Sequence, residues 1–88
     1  MKVQVVGSRR MQFNSKDGGE VNGIKLYIVG RNPEVTGLIA DNIWIDVKNP
    51  VFATACNINL SNGPVDADLV YEQYPGVRKP LLTAINVG

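Results

Sequence analysis

The chain has 88 residues, 44% of them hydrophobic and 19% charged, with nine basic and eight acidic side chains for a net charge of +1. That length makes one domain around a single core, and that composition lies in the folded regime, well away from disorder. There is no histidine and Cys56 is the only cysteine, which excludes an internal disulfide, a zinc site of the usual nitrogen and sulfur ligands, and histidine-driven acid–base or nucleophilic catalysis.

Taken in chain order, the signal is alternation of β-branched and aromatic residues, interrupted by Gly, Pro and Asn. Residues 2–12 read as a long first strand with Val3 and Val5 on one face, and Gly7 stands where a bulge is expected. Residues 14–23 (N-S-K-D-G-G-E-V-N-G) read as a hairpin tip rich in residues that accept positive φ. Residues 24–29 form the second strand, with Ile24, Leu26 and Ile28 facing the core and Lys25, Tyr27 and Val29 facing away. After a loop at 30–37, residues 38–47 read as a third strand whose Ile39, Ile43 and Ile45 share the core face, leaving Trp44 and Asp46 outside.

Residues 49–60 are ambiguous between an extended run and a short helical turn opened by Pro50, with Phe52, Cys56 and Leu60 on one side; the helical turn is the preferred reading. Ser61-Asn62-Gly63-Pro64 is a turn. Residues 65–74 form a fourth strand with Val65, Ala67, Leu69 and Tyr71 inward and Asp66, Asp68 and Glu72 outward. Pro75-Gly76 turns the chain, and 81–87 form the last strand. Five strands with at most one short helical turn between the third and fourth predict an all-β, OB-like Greek-key barrel spanning 1–88 as one domain. Closure would also hide the edges of the outer strands.

The charge is sorted along the chain. Up to Arg31 there are six basic residues against two acidic ones, a balance of +4; from Asn32 to Val77 the balance is −5, and Arg78 and Lys79 restore +2. A near-neutral chain can thus present a basic face. The basic stretches are interleaved with rings, and cations beside flat rings are what a single-stranded nucleic acid needs. The candidate contacts are Arg9, Arg10, Lys16, Lys25, Tyr27, Arg31, Trp44, Tyr74, Arg78 and Lys79. Arg9 and Arg10 are adjacent, so on a strand they point to opposite faces and at most one lines a given groove. Lys25 and Tyr27 stand two apart on the outward face, as a charge beside a stacking ring or a ring packed on a neighbour. Trp44 reads as a ligand platform, a subunit contact or packing beneath a loop. Phe13 either caps the barrel or reaches towards a base.

Chemistry for catalysis is thin. Ser8, Ser15 and Ser61 have no evident base, no phosphate-cradling loop ends in Gly-Lys-Ser/Thr, and Gly18-Gly19 lacks a strand-to-helix setting. Asp66, Asp68 and Glu72 share a strand face and read as a solvated surface in preference to a divalent-cation site. No enzyme activity, metal or cofactor is expected. The Met-Lys start followed by Val-Gln-Val-Val is too short and polar for a signal-peptide core, no window approaches the roughly 18 apolar residues of a membrane span, and a lone thiol fits a reducing compartment, so a cytoplasmic protein with no membrane association is expected.

The opening M-K-V-Q-V-V-G with its basic residues and Phe13, then I-K-L-Y, N-I-W-I-D-V and D-A-D-L-V-Y-E before a short closing strand, resembles the layout of small phage and plasmid single-stranded DNA-binding proteins of the gene V type. The resemblance implies an OB-fold homodimer that coats single-stranded DNA (RNA being the other candidate) without sequence preference during phage or plasmid replication in a bacterial host. It implies contacts by Arg9, Arg10, Lys16, Lys25, Tyr27 and Arg31. The alternatives are a small phage-type assembly subunit built through the Trp44 face, or a protein-interaction module that adds a strand at a sheet edge.

Overall fold

The structure is a computed structural model that describes residues 1–87. Five strands form one antiparallel sheet: β1 (Lys2–Asn14), β2 (Glu20–Arg31), β3 (Leu38–Asp46), β4 (Val65–Glu72) and β5 (Leu81–Val87), with a single helical turn α1 (Phe52–Cys56) between β3 and β4. The sheet order is β3-β2-β1-β4-β5. Three consecutive strands meander, and the fourth crosses back beside the first, which is Greek-key connectivity. The fold is all-β, as the alternation predicts.

The strands run slightly differently from the pattern. β1 continues to Asn14 and β2 starts at Glu20, so the hairpin tip shrinks to 15–19. There Ser15 N–H donates to Gly19 O at 2.7 Å, Gly18 N–H donates to Ser15 O at 3.1 Å, and Gly18 takes φ +81. Backbone pairing to Asn14–Glu20 overrides the weak strand propensity of this Asn- and Gly-rich stretch. β4 stops at Glu72, because the chain breaks towards Pro75. The bulge expected at Gly7 is present, as the β1–β2 register shifts between Val5 and Gly7.

The core is a layer of Val3, Val5, Ile24, Leu26, Ile28, Ile45, Ala67, Leu69 and Ile85, covered by Val51 and Ala55 around α1. The turn is set up by Asn49, whose Oδ1 accepts from Val51 N–H at 3.0 Å and whose carbonyl accepts from Phe52 N–H at 2.9 Å. The buried side of the turn carries Ala55, with Phe52 and Leu60 partly buried. Cys56 is exposed, so it does not share the apolar side with Phe52 as the sequence pattern indicates. The inward i, i+4 pair of the turn is instead Val51 and Ala55, one residue earlier, which rotates Cys56 to solvent.

Three expectations are corrected at the open side of the sheet. The barrel is not closed: among the described residues no ladder joins β3 to β5, and the one hydrogen bond near that gap comes from the segment after β3, Asn49 Nδ2–H donating to Leu82 O at 3.4 Å. The reason lies in β3. Its inward row is Ile45, Ile43, Asp41 and Ile39, because Asp41 pairs with the buried Ile28. Bringing β5 onto β3 would bury an unpaired carboxylate, which is costly. Ile39 is accordingly 39% exposed instead of core. Tyr71 is 38% exposed: the register shift between Val70 and Tyr71 leaves Thr83 as an extra residue in β5, so Tyr71 keeps the parity of Ala67 and Leu69 opposite the partly buried Leu82, but it stands past the last buried pair, Leu69–Ile85.

Candidate nucleic-acid interface

Residues directly opposite in an antiparallel pair stand on one face. Since Ile24, Leu26 and Ile28 face the core, the alternate residues of β2 and their partners form the outer face. The register reads off as rows across β1, β2 and β3: Arg9–Lys25–Trp44, Gly7–Tyr27–Asn42 and Met11–Gly23–Asp46, with Phe13–Val21 nearest the hairpin tip and Arg31–Leu38 at the far end. Arg9, Lys25, Tyr27, Trp44 and Arg31 therefore share one surface.

Its rings are accessible. Tyr27 is 37%, Trp44 42% and Phe13 49% exposed. Trp44 extends over Gly23, where an added Cβ would meet the indole Cζ2 at 2.5 Å, and Tyr27 lies over Gly7, where an added Cβ would stand 3.5 Å from Cδ2. Both rings lean from their own strand onto a glycine of the next, which lays them along the sheet. Phe13 belongs with them: its parity with Arg9 and Met11 on β1 was the signal that places it here, away from the core.

The cations are arranged against ordinary sheet logic. Arg9 and Lys25 are direct cross-strand partners, a placement of like charges that destabilises a ladder. Among the described residues neither pairs with a carboxylate, the sole ion pair being that of the Met1 amino group with Asp68 at 2.8 Å. That contact holds the Asp68 carboxyl below its ordinary value, first through the hydrogen bond from the amino group and then through its charge. At the far end of the outer face a groove of about 490 Å³ is lined by Lys2, Gln4, Val29, Arg31, Leu38 and Asp66. Gln4 Nε2–H donates to Asp66 Oδ1 there at 3.2 Å.

Other candidates lie elsewhere. Arg10 is on the opposite face. Its guanidinium sits 5.0 Å from the Phe52 ring centroid, and Nη1 donates to Met11 O at 2.7 Å and Gly23 O at 2.9 Å while Nη2 donates to Asn22 Oδ1. Those bonds brace the β1–β2 hairpin, and the contact with the Phe52 ring joins it to α1. Lys16 is at the exposed hairpin tip, beyond Phe13. Tyr74, Arg78 and Lys79 are exposed in the β4–β5 loop. Among the described residues no hydrogen bond or ion pair connects that loop to the β1–β2–β3 face; Tyr74 Oη–H donates to Glu72 Oε2 at 2.7 Å, which raises the Tyr74 hydroxyl above its ordinary value. Among the described residues no three His, Cys, Asp or Glu side chains gather to hold a metal, and no helix is long and apolar enough to cross a membrane.

No protein-family model, curated protein or solved structure matches this chain.

Proposed function

We propose that this chain binds single-stranded DNA without sequence preference, as a non-enzymatic homodimer of the gene V kind acting in phage or plasmid replication in a bacterial cytoplasm. The observation that carries the reading is the uncompensated Arg9–Lys25 pair flanked by Trp44 and Tyr27 on one exposed sheet face. Two like charges held side by side without an acid weaken the fold locally, and such breaches of local rules collect at functional sites. A polyanion relieves them, and the flanking rings offer π-faces that any base can stack on. The outer face of the second and third strands is also the surface OB-type folds use for oligonucleotides.

The test is a binding titration with single- and double-stranded oligonucleotides at two ionic strengths. Phosphate neutralisation releases counterions, so single-strand affinity falls steeply as salt rises. Binding indifferent to salt, or equal for duplex, overturns the proposal.

The unpaired edges of β3 and β5 favour a second reading, strand addition by another polypeptide. It predicts capture of a protein and no oligonucleotide shift.

A further inference from the structure

Resting on that reading, we infer that the polynucleotide lies lengthwise along β2, from the Lys16 hairpin tip to the Lys2–Arg31 groove, with Phe13 as a third stacking ring. Along the outer face five of the six levels of β2 carry a ring or a cation, Val29 with Gln4 and Ala40 being the exception. Val21 stands opposite Phe13, Gly23 carries the Trp44 indole, Lys25 faces Arg9, Tyr27 spreads over Gly7, and Arg31 ends the strand beside the groove it shares with Lys2. Rings and cations thus recur along one line, with Lys25 between the two central rings. That is the order of a strand whose bases stack while its phosphates meet positive charge.

The crosswise path is poorer. Following the Arg9–Lys25–Trp44 row meets one ring and two cations over two inter-strand spacings, about 10 Å. It then leaves the sheet, because β4 pairs only with Lys2 to Val5 of β1. Acidic groups border the lengthwise path. Asp66 and Asp68 stand on the outer row of β4 beside Gln4 and Lys2. Asp46 lies at the β3 side of Gly23, its Oδ1 accepting from Lys48 N–H at 3.0 Å. Asp46 disfavours a polyanion straying onto β3, and Asp66, at the rim of the far groove, one straying onto β4, while Asp68 is held by the Met1 amino group.

From Val21 to Arg31 is ten steps along the strand, about 33 Å. That length takes about ten nucleotides at stacked spacing and fewer if the strand is extended. Short ligands should therefore reach only the centre of the track, and long ones both ends.

Fluorescence anisotropy of labelled oligo-dT of about four and about twelve nucleotides, with Phe13→Ala, Arg31→Ala and Lys25→Ala, tests this. Phe13 and Arg31 are exposed, and circular dichroism checks that each variant is folded. The expected result is that Phe13→Ala and Arg31→Ala each weaken the long oligonucleotide about fivefold or more and leave the short one within about twofold, whereas Lys25→Ala weakens both. If the end variants leave the long oligonucleotide unchanged while Lys25→Ala weakens it, the lengthwise path is overturned and the binding reading stands. If the unaltered protein binds neither oligonucleotide, both fall.

Discussion

The indole of Trp44 rests on Gly23: a Cβ at that glycine would stand 2.5 Å from Cζ2 and 2.8 Å from Cη2, and 2.5 Å from the Ile45 carbonyl oxygen. The close approach of β3 to β2 and the pose of the indole thus depend on one missing side chain. Gly23→Ala forces both to shift. The expected cost is about 1–3 kcal/mol, typical of overpacking, with an altered Trp44 emission maximum in the folded state. Urea unfolding followed by tryptophan fluorescence measures both. At Gly7 the equivalent atom would be 3.5 Å from Tyr27, an ordinary contact, so Gly7→Ala should change stability by less than about 0.5 kcal/mol. Equal losses at the two glycines would refute the seating of the indole.

Neighbouring arginines should behave oppositely. Arg10 reaches over the Phe52 ring and bonds the Met11 and Gly23 carbonyls, whereas Arg9 faces Lys25 with no acid partner among the described residues. Arg10→Ala is expected to cost about 1–2 kcal/mol of stability and to leave oligo-dT affinity nearly unchanged below the unfolding transition. Arg9→Ala should leave stability unchanged or slightly raised and weaken oligo-dT binding. Thermal unfolding and anisotropy on the two variants decide it.

Much of this surface was readable in the residue pattern. Period-two alternation around Ile24, Leu26 and Ile28 assigned Lys25 and Tyr27 to the outside, Ile43 and Ile45 did the same for Trp44, and adjacency alone separated Arg9 from Arg10. Cross-strand neighbours were not readable, because register depends on where the hairpin tightens; the loop read over 14–23 hid Gly23 inside β2. The open side of the sheet is hidden in the sequence for a related reason. Asp41 interrupts the inward row of β3, but in sequence it looks like any polar residue near a strand start. The Val70–Tyr71 irregularity has no glycine to announce it.

Salt dependence gives a quantitative check on the cations. For single strands each neutralised phosphate contributes about −0.7 to the slope of log affinity against log salt. If Arg9 and Lys25 each meet a phosphate, the double variant Arg9→Ala/Lys25→Ala should show a slope shallower by about 1.4. Arg78→Ala/Lys79→Ala, in a loop with no bond to the β1–β2–β3 face among the described residues, should leave it unchanged. A shallower slope in the loop variant alone would relocate the interface to the β4–β5 turn.

Tyr71 predicts an alkaline limit to stability. Partial burial, first, and the negative charge of Asp41, second, hold its hydroxyl above the ordinary 10.0. A proton bound more tightly in the folded state than in the unfolded chain stabilises the fold fully below the unfolded value. That contribution is lost as pH rises through the folded one. Stability should therefore begin to fall above about pH 10, and Tyr71→Phe, which has no proton to lose, should lack this part of the decline. Asp41→Asn should shift the Tyr71 titration only part of the way back, because the larger contribution, burial, stays. Ultraviolet titration of tyrosinate absorbance, alongside thermal unfolding at pH values on both sides of 10.0, measures these shifts; an unaltered alkaline limb in Tyr71→Phe would contradict the assignment.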